Sequence, residues 1–369
     1  MSFDPPTRFD SASAVILPEG VASGTFNLAG GMVGQFPAVL YGRLLYVGNL
    51  KEMTVIDVRT GRTEAAIGGD NTSVGSARRA AERPVLADVG GTPTVLTALY
   101  TAVKGSGTTA ARNLIELVGV DAATAERLWS IPIPSDDASP EDPVAVAGVS
   151  GGTAVLRAGT MTYGVDLLQR KVAWQNPNFV VGAVADGTAV GVLHDDPVRG
   201  RLSGFSAADG KLAWRDRADV YAASVRPVSP TLVAFHGNAY GSGAPDDRLL
   251  AAATGKTVTR EFITDTCAYD GVGIAVCSGA NETVSVDAAT GKRLWAITPD
   301  GSGRTAVRVT AARKGLLYGS TENGPVVVDA RTGEDREVDP GAAPYLVNGS
   351  VGIARNPQTY RIIASPAIA

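Results

Sequence analysis

Few residues of this 369-residue chain have side chains suited to acid–base, nucleophilic or metal chemistry. There are two histidines, His194 and His236, and His194 is followed by Asp195 and Asp196. Imidazoles titrate near neutrality. In the repeat described below, His194 and His236 align at the end of the second strand of adjacent repeats, and Arg157 and Arg355 fall at similar places, so the four should point to one face. Together these groups would make a rim able to hold an anionic ligand or an acidic peptide, so Arg157, His194, Asp195, His236 and Arg355 are the candidate ligand-binding residues. Nothing in the spacing suggests catalysis. No His/Cys cluster has metal-ligand spacing, and no Gly-x-Ser-x-Gly nucleophile elbow occurs. Gly105-Ser106-Gly107 and Gly301-Ser302-Gly303 are followed by neither a lysine nor a helical pattern, so they do not read as phosphate loops. No catalytic residue, metal site or cofactor is expected.

Cys267 and Cys277 flank a stretch that reads strand, turn, strand. If Gly271-Val272-Gly273 forms a three-residue hairpin loop, the two cysteines lie directly opposite each other and can bond. If Asp270-Gly271 is instead a two-residue turn, Cys267 pairs with Ile274 and Cys277 faces away. A disulfide would indicate an oxidising compartment.

The candidate residues must be positioned by repeated elements. Val286-Asp287-Ala288-Ala289-Thr290-Gly291-Lys292-Arg293-Leu294-Trp295 is matched closely by Val120-Asp121-Ala122-Ala123-Thr124-Ala125-Glu126-Arg127-Leu128-Trp129. Other copies follow Asp57, Asp166, Ser206, Ala251 and Asp329, and the last five intervals average about 42 residues. All four tryptophans, Trp129, Trp174, Trp214 and Trp295, fall eight residues after that position. A β-rich run precedes each copy. The Asp-Ala-x-Thr-Gly phrase then reads as a hairpin loop in which Gly61, Gly210, Gly255, Gly291 and Gly333 take the positive-φ position. The tryptophan lies on the returning strand and is expected to wedge between neighbouring repeats. Two further short apolar runs lie upstream, so each repeat holds four antiparallel strands, the period of a β-propeller blade.

The expected architecture is therefore all-β: a single propeller domain spanning 1–369, with blades ending near 67, 131, 176, 216, 262, 297 and 338. An eighth blade would combine strands within 343–365 with an N-terminal strand from 14–28; seven blades is the alternative. Closure of this kind removes sheet edges that invite aggregation. The first interval, 64 residues, carries an insertion over 68–83, with a short helix expected at 76–82, and a second over 104–113. A third polar stretch covers 135–142.

Composition fits this architecture. Gly (44) and Pro (21) make up about 18 % of the chain and mark frequent turns. With 44 % hydrophobic residues the chain is not disordered. A net charge of −4 argues against nucleic acid as a partner. No stretch of 18 apolar residues predicts a membrane span. The first 20 residues show no basic segment followed by an apolar one.

The Val-Asp-Ala-x-Thr-Gly-Lys-x-x-Trp phrase resembles the repeat of pyrroloquinoline-quinone-like propellers, from about Phe36 to Val338. That superfamily includes quinoprotein alcohol dehydrogenases, the outer-membrane assembly lipoprotein BamB and the sensor propellers of bacterial membrane kinases. The dehydrogenases carry a disulfide between adjacent cysteines, a Glu/Asn/Asp calcium set and a catalytic Asp. Here the cysteines are ten apart and no calcium set maps onto the matching blades. The resemblance thus implies the non-catalytic branch: an extracytoplasmic, monomeric binding or scaffold propeller of a bacterial envelope or membrane-anchored protein. Its targeting segment would be missing from this sequence, and a cytoplasmic location is the alternative. Two other functions are kept open: a quinone-dependent dehydrogenase or other enzyme at the axial funnel, and a sensor of a small anionic ligand.

Overall fold

The computed structural model describes all residues except 1–2, 22–35, 75–81, 109, 136–141, 261, 263–264, 299–302 and 369. The chain forms antiparallel strands throughout, arranged among the described residues in seven hydrogen-bonded sheets. The first sheet runs from Ala38–Tyr41 to Arg62–Ile67 in simple up-and-down order. The third, fifth and sixth sheets repeat that order. In the second, Thr72–Ser73 and Val85–Val89 both pair with the long strand Thr92–Val103.

The fourth sheet has seven strands, from Phe179–Ala185 to Thr257–Arg260. Its middle strand, Leu212–Pro227, is continuous through residue 216, where the sequence reading ended a blade. The physical reason is a bend rather than a break. Register shifts between Tyr221 and Ser224, where Ala222 has φ 46°, let one strand turn a corner without leaving its partners. The two halves then face each other. Val190, Val192 and Leu202 of one half pack against Val233, Phe235 and Leu250 of the other.

The seventh sheet joins the chain ends. Leu346–Val347, Val351–Arg355 and Ile362–Ile368 form three of its strands. Val15–Ile16 pairs with the last of these, and so does Arg8–Phe9, a strand the sequence reading did not include. Phe9 is apolar but isolated in a polar stretch, so no alternation signalled it. The expected helix at 76–82 lies almost wholly outside the described residues, as do most of 21–28 and of 135–142.

Hydrophobic clusters between successive sheets close the ring. Leu44, Tyr46 and Met53 of the first sheet meet Val95, Leu99 and Val118 of the second. Ile274 and Val276 of the fifth meet Val309 and Leu317 of the sixth. Leu45, Val47 and Ile56 of the first meet Val351, Ile353 and Ile362 of the seventh. The chain is a β-propeller whose first and last sheets pack against each other.

The repeat phrase supplies the joints. Within each loop an aspartate accepts bonds from the following backbone: Asp121 from Ala123 and Thr124, Asp287 from Ala289 and Thr290, Asp329 from Arg331 and Thr332. These bonds hold the carbonyl of the residue after the aspartate toward the preceding sheet. Trp174, Trp214 and Trp295 donate their indole N–H to the carbonyls of Ala207, Ala252 and Ala330, at 2.9, 2.8 and 3.0 Å. Trp214 lies flat across Gly204 of its own sheet and under Gly255 of the next loop, which has φ 67°. A methyl group at either glycine would overlap the ring. Where no tryptophan is present, other donors reach the same carbonyl: Tyr46 bonds Ala122, and Ser229 and Thr231 bond Ala288.

Candidate functional site: the axial cavity

A cavity of about 1080 Å³ opens along the propeller axis. Its described walls are the first strands of the fifth, sixth and seventh sheets, Ser320, Gly324 and Pro325 of the sixth, Arg355 to Gln358 and Tyr360 of the seventh, and Phe36, Arg83 and the Pro227–Pro230 segment. In the sixth sheet's first strand Arg308, Val309, Thr310 and Ala312 line the cavity, with the register shifting between Val309 and Ala311, and Ala311 is buried between sheets.

Among the described residues, three arginines line this space, Arg83, Arg308 and Arg355, and no aspartate, glutamate or lysine does. Arg355 lies over the ring of Tyr360, 4.4 Å from its centroid, and its Nε donates to the Tyr360 carbonyl at 3.3 Å. Tyr345 stacks on Phe36 with centroids 5.7 Å apart. Burial pushes the Tyr345 phenol up, and the charges of Arg355 and Arg308 partly oppose that shift. Both guanidinium groups therefore act on the same ring. Desolvation by the surrounding wall lowers the Arg83 pKa.

The disulfide is part of this wall. Cys267 and Cys277 are bonded and sit directly opposite each other in register. Asp270 and Ile274 close the hairpin, so the three-residue loop Gly271-Val272-Gly273 is the one formed. Asp270 fixes it by accepting from the backbone of Val272, Gly273 and Ile274. Cys267 lines the cavity, and Cys277 is buried behind it.

Of the candidate binding residues, only Arg355 lines the cavity. The other four lie outside it. Arg157 bonds Glu82 at 3.4 Å, and Asp195 pairs with Arg201 at 3.6 Å. The His236 ring bonds the buried carboxylate of Asp247. His236 also lies within Leu232–Ala239 rather than at its end. His194 ends its strand, with Nδ1 buried among the described residues and not hydrogen-bonded there. Glu82, Arg201 and Asp247 hold Arg157, Asp195 and His236, which the strand alignment could not show. Sequence reasoning missed Arg83 and Arg308, although Arg308 opens the inner strand of its repeat.

Among the described residues, no group of three or more His, Cys, Asp or Glu is placed to hold a metal ion. The calcium–quinone pair of the dehydrogenases does not fit the described lining, because among the described residues no carboxylate lines the cavity and its disulfide joins two strands instead of adjacent residues. Among the described residues, no helix is long and apolar enough to cross a membrane.

No protein-family model and no curated protein sequence matches the chain. Solved structures resemble it in shape. BamB from Moraxella catarrhalis is 11 % identical with a TM-score of 0.49, covering 90 % of this chain and 96 % of that one. A europium-containing methanol dehydrogenase is 12 % identical with a TM-score of 0.43, covering 94 % and 85 %. A eukaryotic initiation factor is 9 % identical with a TM-score of 0.47, covering 88 % and 84 %. At TM-scores below 0.5 these are likenesses only, and the propeller rests on the chain's own sheets and joints: a closed ring whose repeat phrase resembles that of the pyrroloquinoline-quinone-like propellers.

Proposed function

We propose that the chain is a non-enzymatic, extracytoplasmic binding propeller, one ring of eight blades whose axial cavity receives the bound molecule. The eight-blade count treats the folded seven-stranded sheet as two blades sharing Leu212–Pro227. The cavity carries the binding role: it is large, central and lined by aromatic, hydroxyl and arginine side chains, as ligand sites are. The disulfide supports an oxidising compartment.

The test fills the cavity from within. Ala312 faces the space, and Ala312→Trp would occupy it while leaving the sheet's bonds in place. A broad screen of small molecules and peptides by thermal shift should find ligands that raise the wild-type Tm, because binding stabilises the folded state. The same ligands should not raise the Tm of Ala312→Trp. Equal shifts in both proteins would rule out the cavity as the site. The compartment is tested separately by alkylating intact cells: free thiols at Cys267 and Cys277 would contradict the extracytoplasmic assignment.

A further inference from the structure

We infer that the arginine-bearing mouth of the axial cavity is a recognition site for an extended acidic peptide segment of a partner protein. This rests on the axial cavity being the binding site. The chain as a whole carries net charge −4, yet among the described residues its cavity presents three arginines and no acidic side chain. Among the described residues, neither Arg308 nor Arg355 has a carboxylate partner, and the guanidinium of Arg355 is oriented by Tyr360.

Their placement in the fold argues for a chain-like ligand. Arg308 opens the first strand of its sheet, Arg355 closes the second strand of the next, and Arg83 lies just ahead of Val85–Val89. In an antiparallel sheet the start of the first strand and the end of the second lie at the same end. Arg308 and Arg355 thus lie at the same end of neighbouring sheets, and Arg83 lines the same cavity. A ligand meeting Arg308 and Arg355 together would carry more than one anionic group, as alternate carboxylates of an extended peptide do. Beyond the arginines the wall offers Thr266, Thr310 and Ser320, whose hydroxyls suit peptide amides and carbonyls.

The experiment uses the whole chain and an unlabelled ten-residue peptide alternating Glu and Ala, measured by isothermal titration calorimetry. Citrate and inorganic phosphate serve as small-anion probes, and the Lys/Ala counterpart serves as the charge control. Arg308→Glu and Arg355→Glu are compared with wild type, with circular dichroism and Tm verifying that each folds. The expected result is binding of the Glu peptide, weakened at least tenfold by either reversal, weakened by added salt and abolished by Ala312→Trp. Binding lost in Ala312→Trp but unchanged in both reversals would overturn the acidic class and leave the cavity standing. Binding unchanged in all three variants would remove the cavity as well. Citrate or phosphate binding with the same arginine dependence, and none by the peptide, would overturn the peptide in favour of a small anion. Absence of all anion binding would overturn the inference, while any ligand found by the thermal-shift screen would still support the cavity.

Discussion

Trp214 shows how a single side chain can make a joint. Its indole N–H satisfies the Ala252 carbonyl at 2.8 Å, and its ring fills the gap between Gly204 and Gly255. Trp214→Phe should keep most of the packing and lose the hydrogen bond, costing about 1 kcal/mol in urea unfolding. Gly255→Ala should cost more, about 2–3 kcal/mol, because a Cβ there is strained at φ 67° and also overlaps the indole. A variant as stable as wild type would show that the joint tolerates displacement. Asp4 gives a pH-dependent case. Hydrogen bonds from Arg313 and then Lys314 hold its carboxyl down at about 2, from an ordinary 3.8. A depressed carboxylate stabilises the fold fully above its unfolded pKa and loses that contribution as pH falls through the folded one. Wild type minus Asp4→Asn stability should therefore be constant above about pH 4 and shrink between about 3.8 and 2. The ion pair is partly exposed, so the effect should be small and salt-sensitive.

Within the second sheet, the insertion after Ile67 is tied down by one buried acid. Glu116 is 1 % exposed and accepts bonds from the Asp70 and Asn71 backbone, the Asn71 amide, Thr101 and Ser130. Burial alone would raise its pKa, but these donors, led by Asn71, outweigh it and the net shift is downward. Glu116→Gln would set an amide N–H against existing donors, and about 1–3 kcal/mol should be lost. Hydrogen exchange should show faster opening of residues 68–73 in that variant. In the fifth sheet, the disulfide ties the cavity-lining strand to the one behind it. Reduction, or Cys267→Ser with Cys277→Ser, should cost about 2–3 kcal/mol for a loop of this length. Unchanged stability after reduction would mean that the hairpin bonds alone hold the cavity wall.

Across the whole molecule, stability depends on closing the ring. The chain's first residues pack into its last two sheets: Arg8 pairs in register with Ile368 and Val15 with Ala364 of the seventh, and Tyr318 of the sixth donates to the Pro6 carbonyl at 2.7 Å. Val15 and Ile16 also abut Gly61 of the first sheet, the place a tryptophan takes at other joints. Deleting residues 1–16 would expose the seventh sheet's edge and remove Phe9, which is 3 % exposed. We expect a loss of at least about 3 kcal/mol and concentration-dependent aggregation of the open ring. A truncated protein that stays monomeric with an unchanged Tm would show that the ring closes without this strap.

Local chemistry in the sequence was enough to determine the repeat. Aspartate, threonine and glycine at fixed offsets specify a hairpin loop through bonds spanning two or three residues, and all four tryptophans mark one strand position. The strands, their antiparallel order and the placing of Cys267 opposite Cys277 follow from alternation and loop length, once the three-residue loop is chosen over the two-residue one. Which side chains meet at the axis does not follow, because it depends on how neighbouring sheets rotate about one another and which partners capture each charge. Arg157 and His236 matched one another in the repeat, yet Glu82 and Asp247 engage them, and Arg201 engages Asp195. Arg83 lies in an insertion with no repeat phase, and tertiary packing alone brings it to the wall that also holds Arg308 and Arg355. The bend at Ala222 is likewise a tertiary result, since packing between the two halves of the sheet stabilises a positive φ that alanine disfavours.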